Sequence, residues 1–122
     1  MRIRTYETPL SVCKVVDIGM VDLSHELTFV GVTDAEVSVV CPTSCAPVQT
    51  VAREDGWRGM RIEGQLDFSL VGILAKISDV LAQAGVALFA VSTYDTDYVL
   101  VKEADFATAR DALANAGYEL CR

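Results

Sequence analysis

Between Gly72 and Gly85 the apolar residues fall at Ile73, Leu74, Ile77, Val80, Leu81 and Ala84. Recurrence at three and four residues traces one face of a helix, and that face must be buried against something. Its neighbours supply the surface. Before it, "WRGMRIEG" (57–64) reads as a strand closed by Gly64, with Asp67 or Ser69 placed to cap the helix and Gly85 placed to end it. After it, "VALFAVST" (86–93) is a nearly continuous apolar run, which predicts a strand covered on both faces. "YVLV" (98–101) follows after a short polar stretch and pairs with it as a hairpin. A second helix is predicted from Asp105 to Ala116, with Phe106, Ala109, Leu113 and Ala116 on one face and Gly117 at its end. "YELC" (118–121) is the last strand. The order β-α-β-β-α-β predicts an α+β, ferredoxin-like fold with two helices on one antiparallel sheet.

The N-terminal half is strand-rich and helix-poor. "LSVCKVV" (10–16), "LTFVGVT" (27–33) and "EVSVVCP" (36–42) read as strands, the last two joined by a tight "TDAE" turn. Between the first two, "DIGMVDLSHE" is too short for a full helix with its connections. After Pro42, "TSCAPVQTVARED" has room for at most a short, Pro-broken helix. The expected organisation is a reduced version of the same plan over 1–56 and a full module over 57–122. No residue-level repeat is visible, so the duplication rests on element order.

At 122 residues, about half of them apolar, the chain can bury a core without metal or disulfide help. The net charge is −7, and the ten basic residues form no run. Nucleic acid and anionic membranes are poor partners for such a surface, because both need clustered cations. "MRIRTYETPLSVCK" lacks the apolar core of a signal peptide, and no apolar run approaches the ~18 residues of a membrane span. A cytoplasmic location is expected. The four cysteines (13, 41, 45 and 121) show no zinc-type spacing, His25 is the only histidine, and the thiols are expected to be inert.

The stretch "STYDTD" (92–97) is more polar than a reversal between two strands requires. With "LDFSLVGILA" (66–75) it carries a resemblance. The chain resembles the ACT domain, and more narrowly it is similar to the paired ACT modules of CASTOR-type arginine sensors and their small stand-alone bacterial relatives. The match is close over 57–121 and looser over 10–56.

The resemblance implies an amino-acid site where the strand-to-helix turn meets a neighbouring module. Its residues would be Asp67, Phe68, Ser69, Leu70, Val71, Gly72 and Ile73, with Ser92, Thr93, Tyr94, Asp95, Thr96 and Asp97 beside them. The residue types suit a zwitterion. Backbone N–H groups at a helix start receive a carboxylate, and Gly72 allows close approach. Asp67, Asp95 and Asp97 can accept from an ammonium group, with Ser92 and Thr93 as hydroxyl partners. Each position also has a structural reading: caps for Asp67 and Ser69, turn residues for Asp95 and Asp97, core or interface aromatics for Phe68 and Tyr94. The first half has no second "LDFSLVGILA", so one site is expected, with 42–51 as a candidate lid through Thr43 and Ser44.

No GxxxxGK[ST], HExxH or GxSxG occurs, and two aspartates on one turn make an incomplete metal site. The expectation is a regulatory amino-acid sensor rather than an enzyme, using no cofactor, forming a homodimer and reporting to a partner enzyme. A structural dimerisation module with a vestigial pocket is the alternative.

Overall fold

The computed structural model describes residues 1–63 and 72–122. Contacts divide them into two compact units, a minor one, Thr8–Trp57, and a major one formed by Met1–Glu7 with Arg58–Arg122. The strands are β1 (Arg2–Thr5), β2 (Leu10–Val15), β3 (Phe29–Val32), β4 (Val37–Pro42), β5 (Ala52–Ile62), β6 (Phe89–Ser92), β7 (Asp97–Lys102) and β8 (Glu119–Cys121). The helices are α1 (Ile73–Gln83) and α2 (Phe106–Asn115). Strand β5 passes from the minor unit into the major one after Trp57.

In the major unit the sheet order is β6-β7-β5-β1-β8. Ile3, Met60, Ile62, Val99 and Val101 alternate onto one face of this sheet, where α1 supplies Ile77 and Leu81 and α2 supplies Phe106, Ala109 and Leu113. All are buried, and they form the main core. The two helices end alike. Gly85 and Gly117 take positive φ of 76° and 101°, and the next residue donates back across the turn, Val86 N–H to Leu81 O and Tyr118 N–H to Leu113 O. This closure satisfies carbonyls the helices would otherwise leave open.

Two features depart from the sequence reading. β1 lies between β5 and β8, antiparallel to the first and parallel to the second, with Ile3 opposite Ile62 and Leu120. "RIRT" shows one apolar residue among charges, too short a pattern to register as a strand. The second departure is β6. Only Phe89–Ser92 pairs, its sole partner among the described residues is β7, and Phe89, Ala90 and Ser92 are exposed. The expected covering of both faces does not occur. Of the apolar run, Val86 is buried and Leu88 packs against the core before the strand begins, and the rest forms an edge.

The minor unit has the order β3-β4-β2-β5, which is the ferredoxin-like arrangement again. Its hairpin repeats that of the major unit at a displacement of 60 residues. Phe29 faces Val40 as Phe89 faces Leu100, and Val32 faces Val37 as Ser92 faces Asp97. In both hairpins the threonine after the first strand donates its N–H to the residue three on, Thr33 to Glu36 O and Thr93 to Thr96 O. Only Phe, Thr and Val at 29/89, 33/93 and 39/99 are identical over 29–42, which explains why no repeat was visible.

The reduction lies in the connections. Residues 16–28 join β2 to β3 where 63–88 join β5 to β6, and 46–51 stand where 106–118 carry α2. A short 3-10 turn, Ile18–Met20, lies in the first connection, and Thr43–Cys45 matches the 3-10 turn Glu103–Asp105 before α2 but leads into no helix. One small core cluster is Cys13, Val39 and Cys41 with Val21, Val30 and Ala46 against it, and Leu10, Val15 and Val40 are buried as well. Val16, Leu23, Val48 and Val51 remain exposed. The described residues include no helix long and apolar enough to cross a membrane.

Candidate functional site

The polar stretch at 92–97 is both a turn and a wall. Thr93 and Thr96 close the reversal, with Thr93 N–H and Oγ1–H donating to Thr96 O at 2.8 and 3.1 Å. Tyr94 and Asp95 form the tip, and Tyr94 is 77% exposed. Ser92 Oγ donates to Asp97 Oδ1 at 2.5 Å, so these two stitch the mouth of the hairpin. Thr96 Oγ1 donates to Ile62 O at 2.7 Å in a buried bond that ties the hairpin to β5. Ser92 and Asp97 bond each other, Thr93 and Thr96 carry turn bonds of their own, and Thr93, Asp95 and Thr96 line a cavity.

That cavity is an open cleft of about 270 Å³, lined by Arg61, Ile62, Glu63, Thr93, Asp95, Thr96 and Tyr98. Its size lies just below the usual range for small-molecule sites, roughly 300–1,000 Å³. Arg61, Glu63 and Tyr98 were not among the sequence candidates. The signal was available, because in "MRIE" Met60 and Ile62 point to the core and therefore turn Arg61 and Glu63 to the opposite face.

Charge of both signs lines this cleft. Arg61 Nη2 donates to Glu63 Oε2 at 3.0 Å. A hydrogen bond with Tyr98, reinforced by Glu63, raises the Arg61 pKa above its ordinary value, so Arg61 stays protonated. Tyr6 stacks beside Tyr98 with ring centroids 6.5 Å apart. Burial pushes the Tyr6 hydroxyl pKa up, so it too stays protonated.

At the helix start, Gly72 has φ 83° and no side-chain bond caps the helix there. No described atom lies within 4 Å of where a Cβ would stand. The left-handed backbone favours glycine here. Ile73 opens α1, and its side chain packs against the core, leaving its backbone N–H as its contribution to any site. Neither residue lines the cleft. Asp67, Phe68, Ser69, Leu70 and Val71, with the caps and the Gly64 strand end expected there, lie outside the described residues.

In the segment expected to act as a lid, the Thr43 hydroxyl is engaged with Ser11 Oγ at 2.8 Å. Ser11 donates onward to Asp55 Oδ1 at 2.6 Å, and Arg53 Nε donates to the same oxygen at 2.8 Å. Bonds from Ser11 first and Arg53 second hold the Asp55 carboxyl below its usual range. This is a structural network of the minor unit. Cys41 is buried, and burial pushes its thiol up to about 11, which keeps it protonated and unreactive. Among the described residues no three His, Cys, Asp or Glu side chains are grouped to hold a metal ion.

A protein from Agrobacterium tumefaciens, solved by X-ray crystallography, is 26% identical with a TM-score of 0.86, over 98% of this chain and 90% of its own. The structure of aspartokinase alpha and beta subunits superposes with a TM-score of 0.65 at 17% identity, over 95% of this chain and 97% of that one. A C-terminal domain from Porphyromonas gingivalis, described as a regulatory domain of aspartate kinase, gives a TM-score of 0.54 at 19% identity, covering 93% and 92%. No curated protein matches the chain. The ACT domain family matches residues 52–115, just over half of the chain and most of the helix-bearing module. The chain belongs to the ACT domain family, whose members are regulatory ligand-binding modules.

Proposed function

We propose that this protein is an amino-acid-binding regulatory module without catalytic activity of its own, working in the cytoplasm as a homodimer that reports to a partner enzyme. The carrying observation is the cleft beside the 92–97 hairpin, which presents Arg61 together with Glu63 and Asp95, flanked by Thr93 and Tyr98. A free amino acid needs that combination, a cation for its carboxylate and carboxylates for its ammonium group. Two carboxylates in the cleft favour a cationic amino acid such as arginine. The segment 67–72, with Gly72 at the helix start, completes the site in this reading. Regulation then follows if the ligand binds one arrangement of the module more tightly than another.

The test is thermal unfolding of the dialysed protein against the twenty amino acids. One or a few should raise the midpoint, by an amount equivalent to about 2.7 kcal/mol when ligand stands at 100 times Kd. Asp95→Asn should weaken the response. A flat panel at millimolar concentrations would refute the reading. It would favour the alternative, a structural dimerisation module, for which the open edge at β6 is the supporting feature.

A further inference from the structure

On the sheet face turned away from α1 and α2, β1 and β5 set Arg4 and Arg61 directly opposite one another. Of the flanking residues, Ile3, Ile62 and Met60 are buried in the core and fix this register. Like charges in such a cross-strand position repel. The chain has 17 acidic residues against ten basic ones, so a shortage of carboxylates does not explain the pairing.

The two arginines are unequally compensated. Arg61 has Glu63 and Tyr98. Arg4 forms no ion pair among the described residues, and its Cζ rests 5.1 Å from the centroid of the Tyr6 ring. Its Nε is shut from solvent without a hydrogen-bond acceptor. A buried, unsatisfied donor on a charged group is costly, and native structures retain few of them without a reason. Tyr6 and Tyr98 stack alongside, the first under Arg4 and the second bonded to Arg61.

We infer that Arg4 and Arg61 together form a subsite for a carboxylate group. A carboxylate between the two guanidinium groups relieves their repulsion. It also accepts from the terminal guanidinium nitrogens, in the two-pronged geometry that arginine favours. This gives a role to the insertion of β1 between β5 and β8, since that placement is what brings Arg4 beside Arg61. The inference rests on the reading above for the identity of the ligand as an amino acid, its carboxylate at Arg4 and Arg61 and its ammonium toward Glu63 and Asp95. It does not rest on that reading for the anion itself.

The experiment is thermal unfolding in sodium succinate against sodium chloride at matched ionic strength and pH, with the amino-acid panel run in parallel. Succinate should raise the midpoint of the wild type and of Arg110→Met, which removes an equal charge on α2. Arg4→Met should lose the response. If Arg4→Met does not fold, calorimetric titration of succinate into Arg4→Lys replaces it, since lysine keeps the charge and loses the fork. Binding at least fivefold weaker than in the wild type is expected there. An unresponsive wild type, or an Arg4 variant that responds as the wild type does, overturns the inference. A flat amino-acid panel beside an Arg4-dependent succinate response removes the amino-acid reading and upholds the carboxylate subsite.

Discussion

Replacing Gly72 by alanine isolates a single physical effect. No described atom lies within 4 Å of the Cβ that alanine would add, so overlap with the described residues contributes nothing. What remains is the backbone, held at φ 83°. An L-residue in the left-handed region costs about 1–2 kcal/mol, and the reduced freedom of the unfolded chain returns about 0.4–1 kcal/mol. The net expectation is a loss of about 1 kcal/mol, or about 4 °C in midpoint for a chain of this size. Gly31 provides the control. It also has open space around it, it lies in β3, and it is not among the positive-φ residues. Gly31→Ala should therefore stabilise by about 0.4–1 kcal/mol through the unfolded state alone. Both variants can be followed by urea unfolding and by thermal melts. Gly72→Ala at or above the wild-type midpoint would refute the backbone argument. So would a loss in Gly31→Ala equal to that in Gly72→Ala.

Thr96→Val keeps the side-chain volume and removes the bond to Ile62 O, so it should cost about 1–3 kcal/mol in urea unfolding. It should also weaken any ligand held between the hairpin and β5, measured as a smaller thermal shift. A second prediction concerns pH. The Asp55 carboxyl is held below its ordinary 3.8 by Ser11 and Arg53, so its contribution to stability is full above that value and is lost as pH falls through the depressed one. Acid titration of Ser11→Ala should show a shallower loss of stability below pH 3.8 than the wild type. An unchanged acid limb would show that the network does not couple to folding.

Much of the helix-bearing module was legible because its signals are local. The apolar stripe from Ile73 to Ala84 and the glycines at 85 and 117 each report on a few consecutive residues, and both helices formed where those patterns stand. α1 is assigned from Ile73, after a left-handed Gly72. The apolar run at β6 misled. A run of apolar residues reads as buried, but whether a strand has a second neighbour is a property of the sheet and not of the strand.

The site divides along the same line. Sequence alone singled out the hairpin 92–97, and the structure brings Thr93, Asp95 and Thr96 of that hairpin to a cleft. It also shows that Ser92 and Asp97 bond each other across the hairpin and that Thr96 ties it to β5, partners no residue type discloses. Composition argued against nucleic acid and anionic membranes as partners, since counting charges needs no coordinates. Tertiary structure decided which charges meet. Arg4 and Arg61 stand 57 positions apart and Arg61 and Asp95 stand 34 apart, and only the register of β1 on β5 and the docking of the hairpin on β5 bring them together. Periodicity specifies which face of an element is apolar. It carries no term for the partner on the other face, and in this protein that partner determines where binding groups converge.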